Sequence, residues 1–170
     1  SVVQFSKGPE IKPGVCRAAE VYRNVPGRLS QLQLFAAPLS RHSPLPGVQA
    51  YELNMPLFSD HAGKRRFFRL PDGKHASYQA DQVFDFPIGT MMSKTFSYPV
   101  DLRDPSLGEW HLETRVQFRE ADGWYGVTYL WSADQQDAVL VTGGAEVPVE
   151  WIAADGGRHQ TQYEVPNVNQ

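Results

Sequence analysis

The chain has one cysteine, Cys16. That excludes an internal disulfide and any thiolate cluster for zinc. In "KPGVCRAAEVY" it reads as a half-buried thiol, or, in an exported protein, as half of a pair made with a partner or with another part of a longer chain. Long apolar runs are missing too. Nothing approaches the roughly 18–20 residues of a membrane-crossing helix, so no membrane insertion is expected. The opening "SVVQFSKGPE" lacks the cationic stretch and apolar core of a secretory leader, as expected of a mature chain or an excised fragment. Basic charge is not in excess. Sixteen Lys and Arg stand against 19 Asp and Glu, a net −3, which argues against a general nucleic-acid binder. Gly-x-Ser-x-Gly, a glycine-rich phosphate loop, Cys-x-x-Cys-His and any βαβ pattern are all absent from the sequence.

Aromatics and turn formers are plentiful. The 170 residues include nine Phe, seven Tyr, four Trp, 13 Pro and 14 Gly. That favours short strands and turns over long helices, in a chain of a length suited to one domain. Residues 1–50 are the least regular and predict a wrapping segment of the same domain. Within it "RLSQLQLF" spaces Leu29, Leu32 and Phe35 for a short helix, and "APLSRHSPLPGVQAYELN" reads as extended. Residues 51–170 predict an antiparallel all-β unit, a sandwich or jelly roll with at most one or two short helices. "RRFFRL" is a strand closed by the turn "PDGK", and its charge suits a sheet edge. "QVFDFPIGT" and "MMSKTFSYPV" read as further strands. The clearest signal is "WHLETRVQFRE", an Asp-Gly turn and "WYGVTYLW": a β-hairpin. Strict alternation places Trp110, Leu112, Thr114, Val116 and Phe118 on one face and His111, Glu113, Arg115, Gln117 and Arg119 on the other.

Four groupings carry chemistry. His111, Glu113 and Arg115 would line one strand face, either as a binding surface or as ordinary ion pairs. His111 and Glu113 are also ligand types, but no third or fourth donor stands at a metal-site spacing, so no metal is expected. Ser59, Asp60 and His61 include the residue types of a hydrolytic triad, yet triad members meet in space and not as neighbours in sequence; Asp60 reads better as a turn cap or as a partner for Lys64 or Arg66. The basic run Lys64–Arg69 offers an anion or sugar-acid site, or simply a charged strand. Trp124, Tyr125, Tyr129 and Trp131 form either core or a stacking platform.

Taken together, "ELNMPLFSDHAGKRRFFRLPDGK", "FDFPIGTMMSKTFSYP", "LETRVQF", "DGWYGVTYLWSADQQDAVL" and "YEVPNVNQ" resemble a bacterial domain of exported proteins that carry c-type haem. In that family the last element runs into a Cys-x-x-Cys-His attachment site. The resemblance spans about Leu29 to Gln170. It singles out Asp60, Lys64, Arg66, Glu113, Arg115, Trp124, Tyr129, Trp131 and Gln135. Ser132 stands where the family has Asn, and His111 is outside the pattern. The resemblance implies a fragment that itself holds no cofactor, with a c-type haem domain downstream in the same polypeptide. It also implies export to the periplasm, the outer-membrane surface or the medium. The expected role is a non-catalytic accessory domain that supports electron transfer by packing on the haem domain or by docking a redox partner. The alternative is a carbohydrate- or anion-binding module using Trp124, Tyr129 or Trp131 with Arg66 or Arg115. An enzyme built on His61, His111 and Glu113 is the third reading.

Overall fold

The computed structural model describes residues 24–54 and 62–167. Its strands are β1 (Val48–Ala50), β2 (Gly63–Arg69), β3 (Met91–Pro99), β4 (Glu109–Glu120), β5 (Gly123–Trp131), β6 (Ala138–Val141), β7 (Ala145–Ile152) and β8 (Arg158–Val165). Among the described residues, three short 3₁₀ turns stand between the strands or before them, Leu29–Leu32, Leu39–Arg41 and Pro105–Leu107. Strands β1 to β6 lie side by side in chain order, and β7 and β8 form a separate pair. Every strand pairing is antiparallel, so the predicted all-β class holds. The connectivity is a meander plus a hairpin, without the crossovers that define a jelly roll.

The two faces of the large sheet are covered differently. One carries Val116, Val127, Tyr129 and Trp131 and packs against Leu29, Leu32, Leu34 and Phe35. Burying each such aliphatic or Phe side chain contributes about 1.5–3 kcal/mol. Polar contacts hold the covering segment. The Ser30 backbone N–H and hydroxyl donate to Asp137 at 3.1 and 2.7 Å, and the Tyr129 hydroxyl donates to the Pro26 carbonyl at 2.9 Å. From residue 24 onward this segment lies against the sheet, and its last residues, Val48–Ala50, form the outermost strand. The opposite face holds a smaller core of Tyr98, Leu112, Val149 and Trp151 under the β7–β8 hairpin.

Three expectations need correction. "QVFDFPIGT" is no strand: apart from a bridge between Ser77 and Asp85, it runs as an irregular excursion with Val83 and Phe84 exposed. Its alternating Phe residues pack on each other and on the sheet instead. The basic strand β2 is not the edge, because β1 pairs with Phe67–Arg69. The alternation in β4 is also interrupted. Phe96 pairs with Glu113 but Ser97 pairs with His111, so Leu112 is an extra residue in the ladder. A bulge of this kind sets two residues against one and reverses the facing of everything beyond it.

Candidate functional site

The bulge decides what the polar face contains. Leu112 enters the small core on the hairpin side. His111 turns to the other face, where its ring lies 4.6 Å from His42 and 4.8 Å from Trp131, centroid to centroid. The expected line of His111, Glu113 and Arg115 therefore does not form: the imidazole is on one side of the sheet and the carboxylate on the other.

Glu113 is fully buried. Its Oε1 accepts from Arg115 Nη2 at 2.6 Å and Nε at 3.1 Å, and from the Tyr163 hydroxyl at 2.6 Å. Its Oε2 has no hydrogen-bond partner among the described residues. Burial and the adjoining carboxylate push the Tyr163 phenol far above its usual range. Burial alone would lower the Arg115 guanidinium, but the hydrogen bond and charge of Glu113, together with Tyr163, outweigh that and raise it. Lys94 Nζ and Arg115 Cζ stand 4.8 and 4.7 Å from the centroid of the Phe96 ring, a cation–π arrangement.

Register then brings the basic residues together. Arg66 pairs with Lys94, and Lys94 with Arg115, across three adjacent strands. Like charges directly opposite one another destabilise a sheet. Lys94 shows the effect: burial, then Arg115, Arg66 and Lys64, all lower its pKa, against a smaller opposing pull from Glu113. Lys64, one row away opposite Phe96, is lowered by burial and by Arg66. Arg66 itself is buried, with Glu52 Oε2 at 3.8 Å. Lys64, Arg66, Lys94 and Arg115 thus cluster on this face around the carboxylate of Glu113, with Glu52 beside Arg66. Asp60, the predicted third carboxylate, lies outside the described residues, as do Ser59, His61 and Cys16.

Of the predicted site, Lys64, Arg66, Glu113 and Arg115 do meet on one face. Lys94 and Tyr163 were missed. Alternation in "MMSKTFSYP" puts Lys94 with Phe96, but only the register shows it between two arginines. Tyr163 comes from a hairpin whose docking no local pattern reveals.

The aromatics divide. Tyr129 and Trp131 are core, at 0% and 6% exposure, while Trp124 is 40% exposed. Trp124 packs edge-on against Phe86 at 5.9 Å, and Phe86 reaches Phe68 at 6.5 Å. Gln135 is structural. Its side chain accepts from the His111 N–H at 2.8 Å and donates to the His111 carbonyl at 3.1 Å, standing in for a neighbouring strand beyond the bulge.

On the opposite face, His42 Nε2 hydrogen-bonds Thr95 Oγ1 at 2.9 Å, and His111 Nε2 hydrogen-bonds the Ser40 carbonyl at 2.8 Å. Burial, then His111 and Arg65, lower the His42 pKa to about 3, and burial lowers His111 as well. Both imidazoles are neutral packing groups at neutral pH. No group of three or more His, Cys, Asp or Glu side chains among the described residues is placed to hold a metal ion. Comparison with protein-family models, curated proteins and solved structures gave no match.

Proposed function

We propose that this chain is a non-catalytic accessory domain that docks an anionic partner on its charged sheet face. The row of Arg66, Lys94 and Arg115 carries the proposal. A chain of net charge −3 concentrates cations there, one carboxylate is fully buried among them, and Arg115 keeps 36% of its side chain exposed. Like charges set opposite one another cost a sheet stability, and here three cations stand in one row. The resemblance supplies the setting: an exported c-type cytochrome, with the haem domain downstream and the face presented to that domain or to a partner it serves.

Two measurements test this. The first is the coding region beyond Gln170. A Cys-x-x-Cys-His motif within a few codons supports the cytochrome setting, and a stop codon removes it. The second is titration of the chain with acidic macromolecules, including any downstream haem domain, at low and high salt. Binding that weakens with salt and is reduced in Lys94→Gln is expected. No binding of any acidic partner would remove the docking role.

A further inference from the structure

We infer that the occupant of this face is an acidic polysaccharide, its carboxylates or sulfate esters meeting Lys94 and Arg115 and its sugar rings lying along Trp124 and Phe86. The inference rests on the docking role proposed above and names the chemistry of the partner.

The shape of the face points to a chain-like ligand. On the hairpin side it is bounded where Tyr163 lies over Phe96 and Glu113. On the other side it is bounded by the aromatic excursion, where Phe86 bridges Phe68 and Trp124. Between them, two cross-strand rows remain. One is Lys94, Arg115 and Thr128; the other is Met92, Gln117 and Gly126. The strip they make runs across the strands. Neighbouring strands are ~4.8 Å apart, close to the length of one sugar residue in an extended polysaccharide. An anionic group on each of two consecutive residues can then meet Lys94 and Arg115 in turn. Arg66 is only 6% exposed and acts on that site through its field.

The chemistry of the borders favours sugar over a flat protein surface. Trp124, Phe84 and Tyr78 are 40%, 44% and 67% exposed and linked ring to ring through Phe86. Exposed clustered rings mark a recognition surface, and an aromatic face suits the apolar C–H side of a pyranose. The floor beside this ledge is low. A side chain built on Gly126 would meet nothing within 4 Å, while Gln117 is exposed and Thr128 partly so, offering hydrogen bonds to hydroxyl groups.

Calorimetric titration at low salt with polygalacturonate, dextran sulfate, neutral dextran and polyglutamate tests the inference. Polygalacturonate or dextran sulfate should bind and dextran should not. Polyglutamate, which has the charge without the rings, should bind more weakly than either acidic glycan. Lys94→Gln should weaken glycan binding about tenfold, as expected for one charge-assisted contact. Trp124→Ala should erase the advantage of glycan over polyglutamate. Both variants leave the Glu113–Arg115–Tyr163 cluster intact, and circular dichroism checks their fold. If polyglutamate binds as tightly as the glycans and Trp124→Ala changes nothing, the glycan inference fails while an anion-docking face survives. If no polyanion binds at low salt, both fail.

Discussion

At the scale of single residues, the strongest commitment in the molecule is the burial of Glu113. A carboxylate at zero exposure persists because Arg115 and Tyr163 both bond the same oxygen. Removing one member leaves the charge uncompensated. Tyr163→Phe should therefore cost about 1.5–3 kcal/mol, the range for a hydrogen bond to a charged group, read as a lower urea midpoint. Arg115→Met should cost about 3 kcal/mol, toward the low end for a broken buried pair because the guanidinium is partly hydrated. Glu113→Gln combined with Tyr163→Phe should cost less than the sum of the two singles, since the charge is gone. The histidines set a pH dependence. The folded-state pKa of His42 lies near 3, below the unfolded value of about 6.5. The unfolded chain thus binds the extra proton first, and stability falls as pH drops from about 6.5 toward 3. The slope is up to about 1.4 kcal/mol per pH unit for each such histidine, with His111 adding in the same direction. Urea midpoints at several pH values should show this loss, and His42→Gln should flatten it.

At the scale of elements, the β4–β5 hairpin was legible as a hairpin: the alternation from Glu113 to Phe118 and the turn signal read straight from the residues. Two neighbouring features were not. The bulge at Leu112 is invisible because the apolar–polar rhythm of "WHLETRV" continues through it unbroken; only the partner strand shows the slip. "QVFDFP" was misread because alternating aromatics look the same whether they face a core or each other. The candidate site was legible to the extent that it lay on one strand, as with Glu113 and Arg115. It was hidden where it depended on register, as with Lys94. Gln135 belongs at this scale. By bonding both backbone groups of His111, it pins β4 where the ladder breaks. Gln135→Ala should lower the unfolding free energy by about 1–3 kcal/mol, the cost of buried backbone groups left unsatisfied. Gln136→Ala, one residue on at an exposed position, should leave it nearly unchanged. Thermal denaturation of the pair separates the two outcomes.

At the scale of the whole molecule, the sheet separates two jobs. One face is closed by the wrapping segment and forms the main core; the other is half-covered by a hairpin and leaves cations and rings in reach of solvent. Net charge conceals this, because a chain at −3 carries a positive patch that only the fold assembles. The wrapping segment is tied to β6 through Asp137, which bonds Ser30 and lies 3.7 Å from Arg28. Asp137→Ala should loosen that tie. Trypsin should then cut at the exposed Arg28 and Arg41 sooner than in the unaltered chain, while sites within β3 to β5 stay protected.

The span of that tie has a temporal consequence. Ser30 and Asp137 are 107 positions apart. At the usual rate of synthesis a ribosome takes about 5–20 s to make the intervening stretch. During that time the surface that buries Leu29, Leu32, Leu34 and Phe35 is made piece by piece, from Phe67 and Met91 to Trp131 and Ala138. The first-made described part of the chain is thus among the last to find its place. The interval before it does so is when the nascent protein is most open to capture by a chaperone or by another unfinished chain.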